Sequence, residues 1–200
     1  MSNVGGRITA PSRVAGVVYP VAVGGFTLAA LLNAITWLPV NVSGLTPLWV
    51  ALFLVIFPTW FPVVLILQRE QKAYNAENPK RRWYQSRYRL PFARAFIGVP
   101  PWLKLVGYIV VAYVAINFFA SIAGLPGQPE MSGNRYFFND HGRDIPTDLQ
   151  GYLAGLRYQM RIFTGHPMIF YGVAALTMYG RRAGTDARSP NIISSGTVDR

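Results

Sequence analysis

The sequence predicts an all-α polytopic membrane protein, four transmembrane helices with an outer loop and helix cap, and three observations carry that expectation. Only 14% of the chain is charged and 52% is hydrophobic, where a soluble domain of this size carries roughly a quarter charged residues. Between Arg13 and Arg69 lie 55 consecutive residues without Lys, Arg, Asp, Glu or His, too long for one buried helix and suited to two crossings and a turn. Two further apolar stretches follow, separated by loops that hold nearly all remaining charge.

The expected crossings, taken in order, are 14–38, 47–68, 105–125 and 162–180 within a single membrane domain, each near the roughly 20 residues a helix needs to span hydrocarbon. The first follows Arg7 and Arg13 as a signal peptide would, but it exceeds the usual apolar length and no small-residue cleavage site follows, so it reads as a retained helix. Its Val23–Gly25 stretch is small enough to let another helix approach closely. Trp37 and Trp49 flank "PVNVSGLTP", an uncharged turn, and suit the membrane interface. In the second crossing "FPTWFP" places Pro58 and Pro62 one turn apart, leaving carbonyls near Leu54 and Pro58 in need of other partners. Asn33, Thr36, Thr59 and Asn117 are the main uncharged polar candidates in the first three crossings, which carry no ionisable side chain apart from tyrosine. That weighs against ion-coupled transport, whose pathways are marked by buried charge.

Residues 69–104 form the first long loop. It interleaves Lys80, Arg81, Arg82, Arg87 and Arg89 with Trp83, Tyr84, Tyr88, Phe92 and Phe96, and Pro91 bends it. Such a segment is expected to hold anionic lipid headgroups by cation attraction and aromatic insertion. No nucleic-acid-binding signature accompanies the basic charge, so nucleic acid is not an expected partner.

The loop 126–161 is different in kind. "NDHG" is a turn, and Thr147 followed by Gln150 resembles a capping box, with Asp148 favourable in the first turn of a helix. Continued into the membrane, that helix puts Arg157, Arg161, Thr164 and Met168 on one face, His166 about one turn inside the outer boundary, and Pro167 where it weakens the bond to Phe163. The charges of this loop balance, which predicts that Asp140, Asp144 and Asp148 pair with Arg143, Arg157 and Arg161. The functional cluster expected from these residues is His141, Arg143, Arg157, Arg161 and His166.

Charge also orients the chain. The N-terminus, the 69–104 loop and the C-terminal tail together hold fifteen Lys and Arg against four Asp and Glu, whereas the 126–161 loop holds four of each. The positive-inside rule then places both termini in the cytoplasm.

The stretches "NDHGR" and "RYQMRIFTGHPMIFYG" resemble a pattern in small bacterial inner-membrane proteins of unassigned function. There a loop Asn-x-His-Gly precedes an Arg-rich helix and a Gly-His at the membrane edge. The resemblance covers Tyr136 to Tyr171 and implies a bacterial inner membrane, with no activity attached.

With no cysteine, Cys-ligated zinc, iron–sulfur clusters and c-type haem are excluded. No phosphate loop, metalloprotease motif or serine elbow is present. The function expected first is therefore an accessory or interaction subunit of a membrane assembly, with a membrane-protein partner or a second copy as its company. The alternative is a membrane enzyme or binder of haem, metal or quinone using His141 and His166, and a small-solute transporter or channel comes third. No cofactor is favoured.

Overall fold

The computed structural model describes residues 12–77, 95, 96 and 98–186. In chain order these form α1 (Ser12–Ile35), a single 3-10 turn (Ser43–Leu45), α2 (Thr46–Glu77), α3 (Pro101–Ala123), strands β1 (Gln128–Ser132), β2 (Arg135–Asp140) and β3 (Arg143–Thr147), and α4 (Leu149–Asp186). Three segments, Val14–Ile35, Ser43–Ala73 and Pro101–Ala123, are long and apolar enough to cross a membrane. Their outward faces carry Val17, Leu31, Phe57, Phe61, Ile116 and Phe119, all well exposed, the surface expected of helices solvated by lipid. The molecule is thus mostly helical and of membrane-protein character.

α4 is the central element and touches all three other helices. At 38 residues it is about 57 Å long at 1.5 Å per residue, nearly twice the roughly 30 Å of hydrocarbon. Its Met168, Tyr171, Ala174 and Met178 form the core with Ala22, Ala29 and Leu32 of α1 and Leu52, Ile56 and Val63 of α2. Small residues set the closeness of α1: a Cβ on Gly25 would lie 2.6 Å from the ring of Tyr171, whereas one on Gly24 would meet nothing within 4 Å. The tyrosine then spans the core, its hydroxyl donating to Leu52 O at 2.7 Å.

The prolines of α2 do not break it. Thr59 Oγ1 donates to Val55 O at 2.8 Å, next to the Leu54 carbonyl that Pro58 leaves without an N–H. α2 continues past the expected boundary at 68 to Glu77, because "QREQKAYNAE" consists largely of good helix formers and nothing in it stops the helix. At this end of the molecule Arg181 of α4 pairs with Glu70 of α2. It also donates to Thr177 O at 2.6 Å and Ala95 O at 3.2 Å.

The expectation of an all-α chain is corrected by residues 128–147, an antiparallel meander in the order β1-β2-β3, with Glu130 opposite Phe137 and Phe138 opposite Ile145. Two tight turns make it. Gly133 has φ 58°, and His141 and Gly142 have φ 52° and 90°, the left-handed pair that a two-residue hairpin needs. Asn139 Oδ1 accepts the Gly142 N–H at 2.9 Å and locks the second turn. The sheet leans on α4 through buried Phe138, whose ring occupies the space a side chain at Gly155 would need. Tyr136 packs on Tyr152 with ring centroids 5.1 Å apart. α4 begins one residue later than the Thr147 capping box implies: Asp148 is the cap, its Oδ1 accepting the Gly151 N–H at 2.7 Å.

Candidate functional site

The polar residues of three helices converge at the end of α1 nearest the sheet. The last carbonyls of α1 are bonded by the turn that follows it: the N–H groups of Thr36, Trp37 and Leu38 donate to Asn33 O at 3.1 Å, Ala34 O at 3.1 Å and Ile35 O at 3.0 Å. Arg161 bonds the first residue beyond the helix: Nε donates to Thr36 Oγ1 at 2.9 Å and Nη2 to Thr36 O at 2.7 Å. Thr36 passes its own proton to Asn33 O at 2.6 Å. A cation at a helix C-terminus is also favoured by the helix dipole.

Asn33 ties the remaining elements together. Its Nδ2 donates to Thr164 Oγ1 at 2.9 Å and Arg161 O at 3.2 Å, and its Oδ1 accepts the Tyr113 hydroxyl of α3 at 2.7 Å. Tyr113 in turn accepts Trp37 Nε1–H at 3.0 Å, and Thr164 donates to Met160 O at 2.7 Å. The guanidinium of Arg161 lies 3.9 Å above the Trp37 ring and 5.2 Å from the Tyr158 ring, so its faces are packed by aromatic carbon and its edge is hydrogen-bonded. Burial draws its pKa below the ordinary arginine value, and Tyr158 and Tyr113 act in the opposite direction.

Arg157, one turn earlier, comes no closer than 3.5 Å to Val40 O. Arg157 and Arg161 together with Tyr158 form one wall of a cleft of about 200 Å³ whose other wall is Trp37, Leu38 and Pro39. A second cavity, about 370 Å³ and apolar, lies between α1 and α3 over α4, with Phe26, Gly107, Met168 and Leu176 in its lining and Tyr19 and Lys104 among its polar residues.

The expected cluster is only partly assembled. Arg157 and Arg161 share the cleft, while Arg143 is exposed in β3. His141 stands on the hairpin tip with its side chain 98% exposed, paired with Asp140 at 2.7 Å. His166 instead turns back on its own helix, Nδ1 at 2.8 Å from Ile162 O, with its ring edge-on to Phe118 at 5.5 Å. The two imidazoles share no partner, and among the described residues no group of three or more His, Cys, Asp or Glu could hold a metal. The expected pairing of Asp140, Asp144 and Asp148 with Arg143, Arg157 and Arg161 is corrected as well: among the described residues no ion pair joins the two sets. Asp148 caps α4, Asp140 meets His141, and Arg161 bonds to Thr36 and packs on aromatic rings. Lys80, Arg81, Arg82, Trp83, Arg87 and Arg89 lie outside the described residues.

Fold and site together define a helical membrane protein in which a central, partly polar helix is fastened to its neighbours by one hydrogen-bonded network. No family model, curated protein or solved structure matches the chain.

Proposed function

We propose that the protein is an accessory subunit of the bacterial inner membrane that crosses it four times and holds a partner within a larger assembly. Residues 162–180 of α4 make the fourth crossing. Enclosed by α1, α2 and α3, that stretch faces protein more than lipid, so Thr164, His166 and Thr177 are tolerated where a lipid-facing helix would exclude them. The one-sided distribution of Lys and Arg supports cytoplasmic termini, with the sheet outside and residues 80–89 against anionic headgroups.

One observation carries the interaction role. Gly16 and Gly24 stand exposed on α1, two turns apart with exposed Pro20 between them, and a Cβ at either glycine would meet nothing within 4 Å. Glycine inside a helix costs about 1 kcal/mol relative to alanine. Gly25 offsets this by admitting Tyr171, whereas Gly16 and Gly24 admit nothing among the described residues. A neighbouring helix seated on that stripe would use them, as small residues are used between membrane helices. The test is extraction from native membranes in mild detergent. Wild type should migrate with a larger assembly, and Gly16→Leu with Gly24→Leu should run alone with thermal stability no lower than that of wild type. A solitary, monodisperse wild type would overturn the reading.

The competing cofactor-binding reading needs His141 and His166 to act together, and their surroundings give it no support. Optical absorption and metal analysis of the purified protein address it directly.

A further inference from the structure

The cleft between Arg157 and Trp37 has a chemistry that the helix-fastening network does not use up. A guanidinium carries five N–H donors; Arg161 directs Nε–H and one Nη2–H to Thr36, and its other three have no acceptor among the described residues. Among the described residues Arg157 has only the 3.5 Å approach to Val40 O, the outer limit of a hydrogen bond. Two cations at i and i+4 repel each other, and neither is ion-paired with Asp140, Asp144 or Asp148.

The cleft beside them is concave and of about 200 Å³, enough for a small anion and its first substituent. Its walls are preorganised. Trp37 and Thr36 hold the Arg161 plane in place, and the Tyr158 ring lies close against Gly124, where a Cβ would be 3.0 Å away. The rim residues Leu38 and Pro39 are apolar and exposed, so the opening pairs cationic donors with a greasy edge.

We propose that this cleft binds a phosphate-type oxyanion, drawn either from a phospholipid headgroup or from a free phosphate ester, with Arg157 as its principal ligand and Arg161 as a fixed second. The planar forks of two arginines match phosphate oxygens in geometry and number. The assignment rests on the cleft alone and stands or falls separately from the accessory role.

The experiment is a fluorescence titration of the purified protein in maltoside detergent at low salt, with two probes: glycerol 3-phosphate and a short-chain phosphatidylglycerol. Trp37 in the cleft wall reports binding, and Trp37→Phe identifies its share of the signal. Saturable binding is expected, weakened tenfold or more in Arg157→Gln and unchanged in Arg143→Gln, which removes the same charge from an exposed position on the sheet. Saturation by both probes assigns the site to free phosphate esters; saturation by the lipid alone assigns it to a headgroup. Absence of saturable binding for both, or equal losses in the two variants, overturns the proposal. Should Arg157→Gln fail to fold, Arg157→Lys decides: it keeps the charge without the fork, so severalfold weaker binding supports the site and unaltered binding overturns it.

Discussion

Arg161 illustrates how a cation is accommodated at the edge of hydrocarbon. It sits on Trp37 and bonds to Thr36, the first residue beyond α1, so its charge is stabilised by an indole face and by the carbonyl and hydroxyl of one residue. Arg161→Ala should lower unfolding stability in detergent by about 2–4 kcal/mol, since its charge-assisted hydrogen bonds are lost and the Thr36 carbonyl is left without that donor. Arg161→Lys should recover little, because one ammonium cannot reproduce the fork on Thr36. Gly25→Ala should cost about 1–3 kcal/mol through collision with Tyr171, whereas Gly24→Ala in the isolated protein should raise stability by up to about 1 kcal/mol; thermal unfolding of the pair decides. The sequence placed Arg157 and Arg161 on one face and marked Asn33 and Thr36 as unusual. It could not pair them, because hydrogen bonds from Asn33 to Thr164 join positions 131 residues apart. Charge balance suggested Asp partners for the arginines, but neutrality of a loop says nothing about which oxygen a guanidinium reaches.

Among the elements, the sheet is where sequence reading fell short. Its turns are visible in the chain: "SGN" and "DHGR" each supply glycine where φ is positive. The strands are not, since they are only five or six residues long, contain Pro129 and Pro146, and lie largely exposed, so no clean alternation marks them. Gly142→Val should strain the second turn by about 1–2 kcal/mol, the penalty for a side chain in the left-handed region. Amide exchange over 128–147 should accelerate while 101–123 keeps its protection; unchanged exchange in the sheet would contradict this account of the hairpin. Helix positions were read well and helix ends less well. Residues 36–38 lie outside α1, and α2 outlasts its apolar stretch, because a charge marks where lipid ends rather than where backbone hydrogen bonding does.

At the scale of the whole molecule, orientation can be measured directly because the chain has no cysteine. Asn134→Cys, in the exposed turn between β1 and β2, should react with an impermeant maleimide from outside the cell. Asn75→Cys, in the exposed last turns of α2, should react only after permeabilisation. The reverse pattern would invert the proposed topology. Three helices apolar enough to cross a membrane were legible as apolar stretches, but the dominance of α4 was not: it is the least hydrophobic of the four helices on average, its apolar stretch being flanked within the same helix by Arg157, Arg161, Arg181 and Arg182. This arrangement bears on biogenesis. α4 is the last of these helices to leave the ribosome, and the core forms around it. The earlier helices must therefore wait, inserted but incompletely packed, until synthesis reaches Asp186, and a nascent chain stalled before Leu149 presents membrane proteases with apolar segments that have no centre to assemble on.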